Sequence, residues 1–194
     1  MNRPPLPLAV LLLALCAIPA LAEGTLEDAR IAYQAKDYAR ALAIFRPLAE
    51  QGDALAQYSL GYLYAKGQGV AEDDAEALKW YRRSAEQGNA FGQANLGHMY
   101  DDGEGVAEDD VEAVKWYRAA AEQGFDKAQY ILGLMYARGT GAPRSEVEAF
   151  RWWSIAAAAG NETAIKGQAE LASTLTAEQI AAGRRLAQDW KPRR

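Results

Sequence analysis

The chain has 194 residues, half of them hydrophobic, with 41 Ala, 17 Gly, one Cys, one His and a formal net charge of −5. Single Cys and His residues exclude zinc clusters, iron–sulfur sites and an internal disulfide framework, so no cofactor is expected. An isoelectric point near 5.0 argues against nucleic acid as a partner, because phosphate binding relies on clustered Lys and Arg.

Residues 1–22 read as a bacterial secretory signal peptide. Arg3 supplies the positive n-region, Leu6 to Ile18 the apolar run, and Ala20-Leu21-Ala22 the small-x-small cleavage pattern before Glu23. The apolar run falls well short of the ~20 residues a spanning helix needs, so no stable membrane span is expected after cleavage. Leu15 precedes Cys16, where a lipoprotein signal carries a small residue, which disfavours lipidation. Cleavage after Ala22 removes the only Cys and, with Arg3, takes the formal charge from −5 to −6. The expected location is the periplasm or the external medium.

Downstream, the sequence repeats with a period of 36 residues. Gly52, Gly88, Gly124 and Gly160 keep that spacing, as do Trp80, Trp116 and Trp152, and Tyr64, Tyr100 and Tyr136. The copies at 53–88 and 89–124 are identical at 22 of 36 positions, and a third copy spans 125–160. A fixed period of this length marks a stacked repeat architecture. One Ala in about every five residues makes the stacked unit helical, since Ala has the best intrinsic helix propensity.

In chain order, residues 23–52 predict an N-terminal helix pair, with one helix to about Lys36 and a second from Asp37-Tyr38 through Ala41 and Phe45. Each 36-residue copy predicts two helices. In the first copy, helix A runs over 54–66 and stops at Gly67, and helix B runs over 74–87 and is closed by Gly88. Asp73-x-x-Glu76, Asp109-x-x-Glu112 and Ser145-x-x-Glu148 read as capping boxes. The third copy replaces Asp by Ser and keeps the cap chemistry, which assigns these acids to helix capping rather than to a metal. Glu72 and Asp74 add negative charge at the positive end of the helix dipole. Leu60, Gly61 and Tyr64 form the packing stripe of helix A, and Ala77, Trp80, Tyr81 and Ala85 that of helix B. A single pair cannot bury its own apolar face, so the copies must stack and the ends need caps. Residues 161–194 supply the C-terminal cap. The stretch 162–172 replaces a helix A, and Thr176-x-x-Gln179 opens a last helix with Ile180, Gly183, Ala187 and Trp190 on one face. Lys191 to Arg194 reads as a frayed basic tail.

The pattern Ala56-Gln57-x-x-Leu60-Gly61-x-x-Tyr64-x-x-Gly67-x-Gly69-Val70-x-x-Asp73-x-x-x-Ala77-x-x-Trp80-Tyr81-x-x-x-Ala85-x-x-Gly88 resembles the Sel-1-like repeat, a longer-looped relative of the tetratricopeptide repeat. The resemblance covers 53–160 in three copies, and residues 25–52 are closer to an ordinary tetratricopeptide unit. Departures are Gly92 for the small Ala, Ala142 for the loop Val, and Trp153 for the Tyr after Trp152. The resemblance implies an all-α, right-handed α-solenoid of antiparallel helix pairs, acting as an adaptor or scaffold in protein complexes. In bacteria such proteins are often exported and linked to envelope assembly, secretion or host contact.

In tetratricopeptide-type solenoids helix A lines the concave face. Transferred to this chain, the groove positions are Leu55, Tyr58, Tyr62 and Lys66 in the first repeat, and Phe91, Asn95, His98, Asp101 and Asp102 in the second. The third contributes Lys127, Tyr130, Leu134 and Arg138. These positions differ between copies while the packing positions do not, as expected if each repeat meets a different part of a peptide or protein ligand. Tyr suits that role because it offers contact area with a polar tip. The Lys and Asn set of a carboxylate clamp is not assembled, so a chaperone tail is not the expected ligand.

Other chemistry has weaker support. The Gly-x-Gly loops follow a helix rather than a strand and lack a third glycine, which makes them turns rather than phosphate cradles. In the acidic run 101–110, Gly103 and Gly105 stand where a calcium loop needs oxygen ligands, leaving a solvated loop and a cap. His98 has Tyr62 and Leu134 at its equivalent positions and no placed nucleophile, so it reads as a surface or groove residue. Relatives described as weak β-lactam hydrolases resemble a version with paired Cys in each repeat, which this chain lacks. Asn161-Glu162-Thr163 is a sequon by pattern, but Asn161 occupies the position where Asp53 and Asn89 cap helix A. The expectation is an exported, non-enzymatic interaction scaffold. A weak hydrolase of cell-wall or β-lactam substrates, and a structural protein that self-associates through its ends or its Trp-rich helix B face, are the alternatives.

Overall fold

The computed structural model describes residues 24–193. The signal segment with its cleavage pattern and Cys16, and Arg194, lie outside the described residues. Within them the chain forms ten helices and no strand. They are α1 (Leu26–Gln34), α2 (Tyr38–Glu50), α3 (Ala54–Ala65), α4 (Asp74–Glu86), α5 (Ala90–Asp102), α6 (Asp110–Glu122), α7 (Asp126–Arg138), α8 (Glu146–Ala158), α9 (Glu162–Ala172) and α10 (Ala177–Gln188). Each helix from α1 to α8 packs on the next and α10 packs back on α8, giving an all-α solenoid of helix pairs. Helices α3, α5 and α7 are the A helices, and α4, α6 and α8 the B helices. Among the described residues no helix is long and apolar enough to cross a membrane.

The helix starts follow the cap residues closely. Side chains of Asp53, Asp73, Asn89, Asp109, Ser145 and Asn161 each accept a hydrogen bond from a first-turn backbone N–H. Asn161 thus caps α9, and its amide also donates to Asp126. Among the described residues the complete reciprocal box forms only at Thr25 with Asp28 and at Thr176 with Gln179. At the B helices the second half of the expected box is missing, for a physical reason. The N-cap N–H there is already used, donated to the Tyr carbonyl of the preceding A helix: Asp73 to Tyr64 (3.1 Å), Asp109 to Tyr100 (2.8 Å) and Ser145 to Tyr136 (2.9 Å). Glu76 is therefore free to meet Lys79 and the Trp80 indole N–H, while Glu112 pairs with Lys115 and Glu148 with Arg151.

Within a repeat, the A-helix glycine sets how closely helix B approaches. A Cβ on Gly61 would stand 2.8 Å from the Tyr81 ring, one on Gly97 3.1 Å from Tyr117, and one on Gly133 2.5 Å from Trp153. Leu60, Leu96 and Leu132 beside them are fully buried, as are Ala77, Ala113 and Ala149 on the facing helices.

Three devices join one repeat to the next. The first is an Arg on each second helix, which reaches the recurring Tyr of the following A helix: Arg46 to the Tyr64 hydroxyl (2.9 Å), Arg82 to Tyr100 (2.8 Å), and Arg118 to Tyr136. The N-terminal pair is therefore fastened as the repeats are, although its own connection has no Gly-x-Gly loop and turns through Lys36 at φ 62°. The second device is the second loop glycine. A Cβ on Gly69 would lie 2.6 Å from the Tyr38 carbonyl, one on Gly105 2.6 Å from that of Asp74, and one on Gly141 2.0 Å from that of Asp110. Each loop thus rests its backbone on the first residue of the second helix in the preceding pair. The third device is a buried Gln, since Gln57, Gln93 and Gln129 donate to the carbonyls of Ala49, Ala85 and Ala121. Gly92 also has a local cause. A Cβ there would stand 2.5 Å from the buried Ser84 Oγ, which is anchored on the Ala54 carbonyl.

At the C-terminal end α10 lies on α8, where Gly183 lets Phe150 approach, and Ala187 and Trp190 pack on the core between α6 and α8. The tail after it is not frayed as far as Arg193. The Arg193 N–H donates to the Glu122 carbonyl (2.7 Å), and its guanidinium meets the Glu122 carboxylate (2.7 Å). Glu122 ends α6, so a cation there also meets the negative end of the helix dipole.

Candidate functional site: the inner face of the A helices

The A helix α3 reaches past α4 to touch α5. The curvature is strong enough that Arg30 and Tyr33 of α1 line the same cavity, about 440 Å³, as Lys127 of α7. Tyr58 and Tyr62 form its wall and are shared with a neighbouring cavity of about 400 Å³, which adds Phe91, Asn95, His98, Phe125 and Ile131. The structure therefore brings together Tyr58, Tyr62, Phe91, Asn95, His98 and Lys127 from the sequence-derived set.

An aromatic ladder runs along this face. Tyr38, Tyr33, Tyr62, Tyr58, Phe91 and Phe125 contact one another in that order, with ring centroids 5.3 to 6.4 Å apart. These are favourable aromatic distances. Phe91, next to last in this order, stays 45% exposed, so the ladder presents apolar surface to solvent. Burial, reinforced by Tyr62, pushes the Tyr33 hydroxyl up to about 12, and burial also raises Tyr58, Tyr81 and Tyr117. These phenols remain neutral, Arg30 is paired with Glu27 (2.6 Å), and Lys127 brings a positive charge to both cavities.

The other groove positions lie apart from the two cavities. Tyr130 stacks on Trp153 at 6.3 Å, its carbonyl accepts the Trp153 indole N–H (2.9 Å), and Leu134 packs in the same cluster. Leu55 is exposed, Lys66 caps α3, and Arg138 ends α7. Asp101 and Asp102 close α5; burial, then repulsion from Asp102, raises the Asp101 carboxyl above the usual range. His98 is exposed, with Nδ1 3.5 Å from Asp102. The donor atoms of His98, Asp102 and Glu104 fall within 4.8 Å of one another, the one trio with metal-site spacing among the described residues. All three side chains are solvated, where water competes for an ion from every side.

Tyr33 and Phe125 were not among the sequence-derived positions. Tyr33 lies in the pair that departs from the repeat pattern. Phe125 stands at an N-cap position, where its copies carry Asp53 and Asn89. It makes no side-chain cap bond and contacts Phe91 edge-on at 5.3 Å. An aromatic residue at a position whose copies are cap formers was the available signal.

Comparison with known proteins agrees with this architecture. The Sel1 repeat profile matches residues 31–53, 54–89, 90–125 and 126–161, so the second helix of the N-terminal pair counts as part of a fourth unit. A Sel1 repeat protein from Oxalobacter formigenes is 39% identical with a TM-score of 0.69, over 72% of this chain and 58% of that one. A protective antigen of uropathogenic Escherichia coli strains with an SLR fold is 27% identical, TM-score 0.44, over 84% of this chain and 51% of that one. Helicobacter pylori cysteine rich protein B shares the fold at 22% identity and a TM-score of 0.51, over 74% of this chain and 97% of that one. The chain thus spans 58% and 51% of the first two relatives. No curated protein matches it. Sel1 repeat proteins are generally non-catalytic protein-interaction scaffolds. With four matched repeats over most of its length, the chain belongs to the Sel1 repeat family.

Proposed function

We propose that this protein is an exported scaffold that holds a polypeptide segment against the inner face of its A helices, centred on Tyr58, Tyr62 and Phe91. The aromatic ladder carries this reading. It spans α1 to the start of α7, borders two open cavities, and leaves Phe91 45% exposed on a curved surface. Aromatic side chains that keep a polar tip suit the centre of a protein interface. Lys127, which lines both cavities beside the aromatic side chains, favours a ligand with apolar anchors and a negative charge. The signal pattern of residues 1–22 supports export to the periplasm or the medium.

Crosslinking in the native envelope tests the surface. The double variant Tyr62→Ala with Phe91→Ala should retain its helical circular dichroism and lose the partners recovered with the wild type. Recovery of every partner by the folded double variant would refute the groove assignment. Fractionation that leaves the protein in the cytoplasm at full length would refute export.

A further inference from the structure

The B-helix ends contain a rung that is present twice and missing once. Gln87 donates its side-chain amide to the buried Gln57 Oε1 (2.6 Å), and Gln123 does the same to Gln93 Oε1 (2.7 Å) while also donating to the Gly88 carbonyl (2.8 Å). Gln57 and Gln93 thereby satisfy both ends of their own amides, since each donates to a carbonyl of the preceding helix. In the third repeat the residue at the position of Gln87 and Gln123 is Ala159. Gln129, the third buried Gln, is 1% exposed; its amide N–H donates to the Ala121 carbonyl, but its Oε1 has no partner among the described residues. Buried polar atoms in folded proteins are normally paired.

A second unpaired atom belongs to the same place. Trp190 Nε1, a donor, is shielded and has no acceptor among the described residues. Gln129 and Trp190 both line an open cavity of about 560 Å³ between α8, α9 and α10. On the same wall, Ser154 donates to the Phe150 carbonyl and accepts from Gln168. Ile155, Ala158 and Ala187 supply apolar surface, and Arg184 adds a positive charge.

We propose that this cavity binds a primary carboxamide, the group that ends a glutamine or asparagine side chain. The chain itself places such a group at the two equivalent positions. A carboxamide offers an N–H to Gln129 Oε1 and a carbonyl oxygen to the Trp190 indole, which are the two capacities left open. The apolar wall takes the methylene stem. The source is either a free amide such as glutamine, whose carboxylate would face Arg184, or a glutamine side chain of a bound polypeptide. The site lies at the C-terminal cap and is independent of the aromatic face.

Titration of the ¹⁵N-labelled protein, read at the Trp190 indole N–H, tests the assignment. The probes are L-glutamine, the capped peptide acetyl-Ala-Gln-Ala-amide, and L-glutamate as the matched acid. A saturable indole shift is expected with an amide probe, with affinity about tenfold or more above that for glutamate, because the acid cannot donate to Oε1. Saturation by glutamine alone identifies a free ligand, and saturation by the peptide alone identifies a polypeptide. Ala159→Gln rebuilds the missing rung from within and should abolish the shift while keeping the fold and raising Tm. Absence of saturation with both amide probes, equal binding of glutamate, a crystal structure in which ordered water alone satisfies both atoms, or undiminished binding by the Ala159→Gln variant would each overturn the proposal. The Tyr62→Ala and Phe91→Ala variant should bind the amide probe normally, which separates this site from the groove.

Discussion

The second and third repeats share one framework and present different inner faces. In the second, Gly97 receives Tyr117, and the A helix leaves Phe91, Asn95 and His98 facing the cavity. In the third, Gly133 receives Trp153, whose indole reaches the Tyr130 carbonyl and stacks on the Tyr130 ring, drawing Tyr130 and Leu134 into a packed cluster. The indole of Trp153 thus accompanies the withdrawal of Tyr130 and Leu134 from the inner face, while Lys127 and Ile131 of the same helix still line the cavity. Which side chains a solenoid offers is decided as much by the helix behind the face as by the face itself.

The difference can be probed by perturbing one repeat and reading the other. The largest effect is expected at the joint between them. Gly141→Ala would put a Cβ 2.0 Å from the Asp110 carbonyl at φ +64°, while the same change at Gly105 meets Asp74 at 2.6 Å. The Gly141 variant should lose about 3 kcal/mol, from backbone overlap and left-handed strain together, and the Gly105 variant less, measured by urea unfolding. Next, Trp153→Tyr should convert the third repeat toward the second. Loss of the indole hydrogen bond and part of the buried ring costs about 1–2 kcal/mol, and Tyr130 should become reactive to iodination. Unchanged Tyr130 reactivity would mean that Trp153 is not what withdraws Tyr130 from the inner face.

A smaller change in stability, with a clear change in binding, is expected at Phe125. Phe125→Asn restores the cap found at Asn89 and removes the edge contact to Phe91. These effects oppose each other, so stability should move by less than about 1 kcal/mol while partner recovery falls. The smallest effect is at Asp101. Its folded carboxyl titrates above the unfolded one, so the folded state holds the proton more tightly and stability falls as pH rises through that interval. Asp101→Asn should therefore raise Tm slightly at neutral pH, and the gain should vanish below the ordinary aspartate pKa of about 3.9.

The repeat framework was legible because it is local and periodic. The caps at Asp73, Asp109 and Ser145, the stops at Gly67 and Gly88, and the close approach at Gly61 all express themselves at fixed spacing. What the Glu of each apparent box does was not legible, because the competing bond from the N-cap N–H to Tyr64, Tyr100 or Tyr136 crosses between helices. The roles of Gln57, Gln93 and Gln129 were hidden for the same reason, since their partners lie on neighbouring helices. In the candidate groove, the positions transferred from the A-helix pattern include the centre of the cavities. They could not distinguish Tyr62 from Tyr130, because that distinction depends on Trp153, 23 residues away. The contribution of Tyr33 follows from curvature, a property of the whole array that no single window of sequence contains.

The second glycine of each loop has a consequence for how such a chain can grow. Gly69, Gly105 and Gly141 set backbone against backbone, so this contact between neighbouring units does not depend on the side chains carried by the inner face. The joint is complete within 36 residues and its follower's loop, and it is repeated without adjustment to whatever the inner face carries. Duplication of one unit would therefore lengthen the array along the same arc, adding a new stretch of recognition surface at no geometric cost to the old. The framework behaves as a ruler of fixed graduation on which the contact residues can be rewritten one copy at a time.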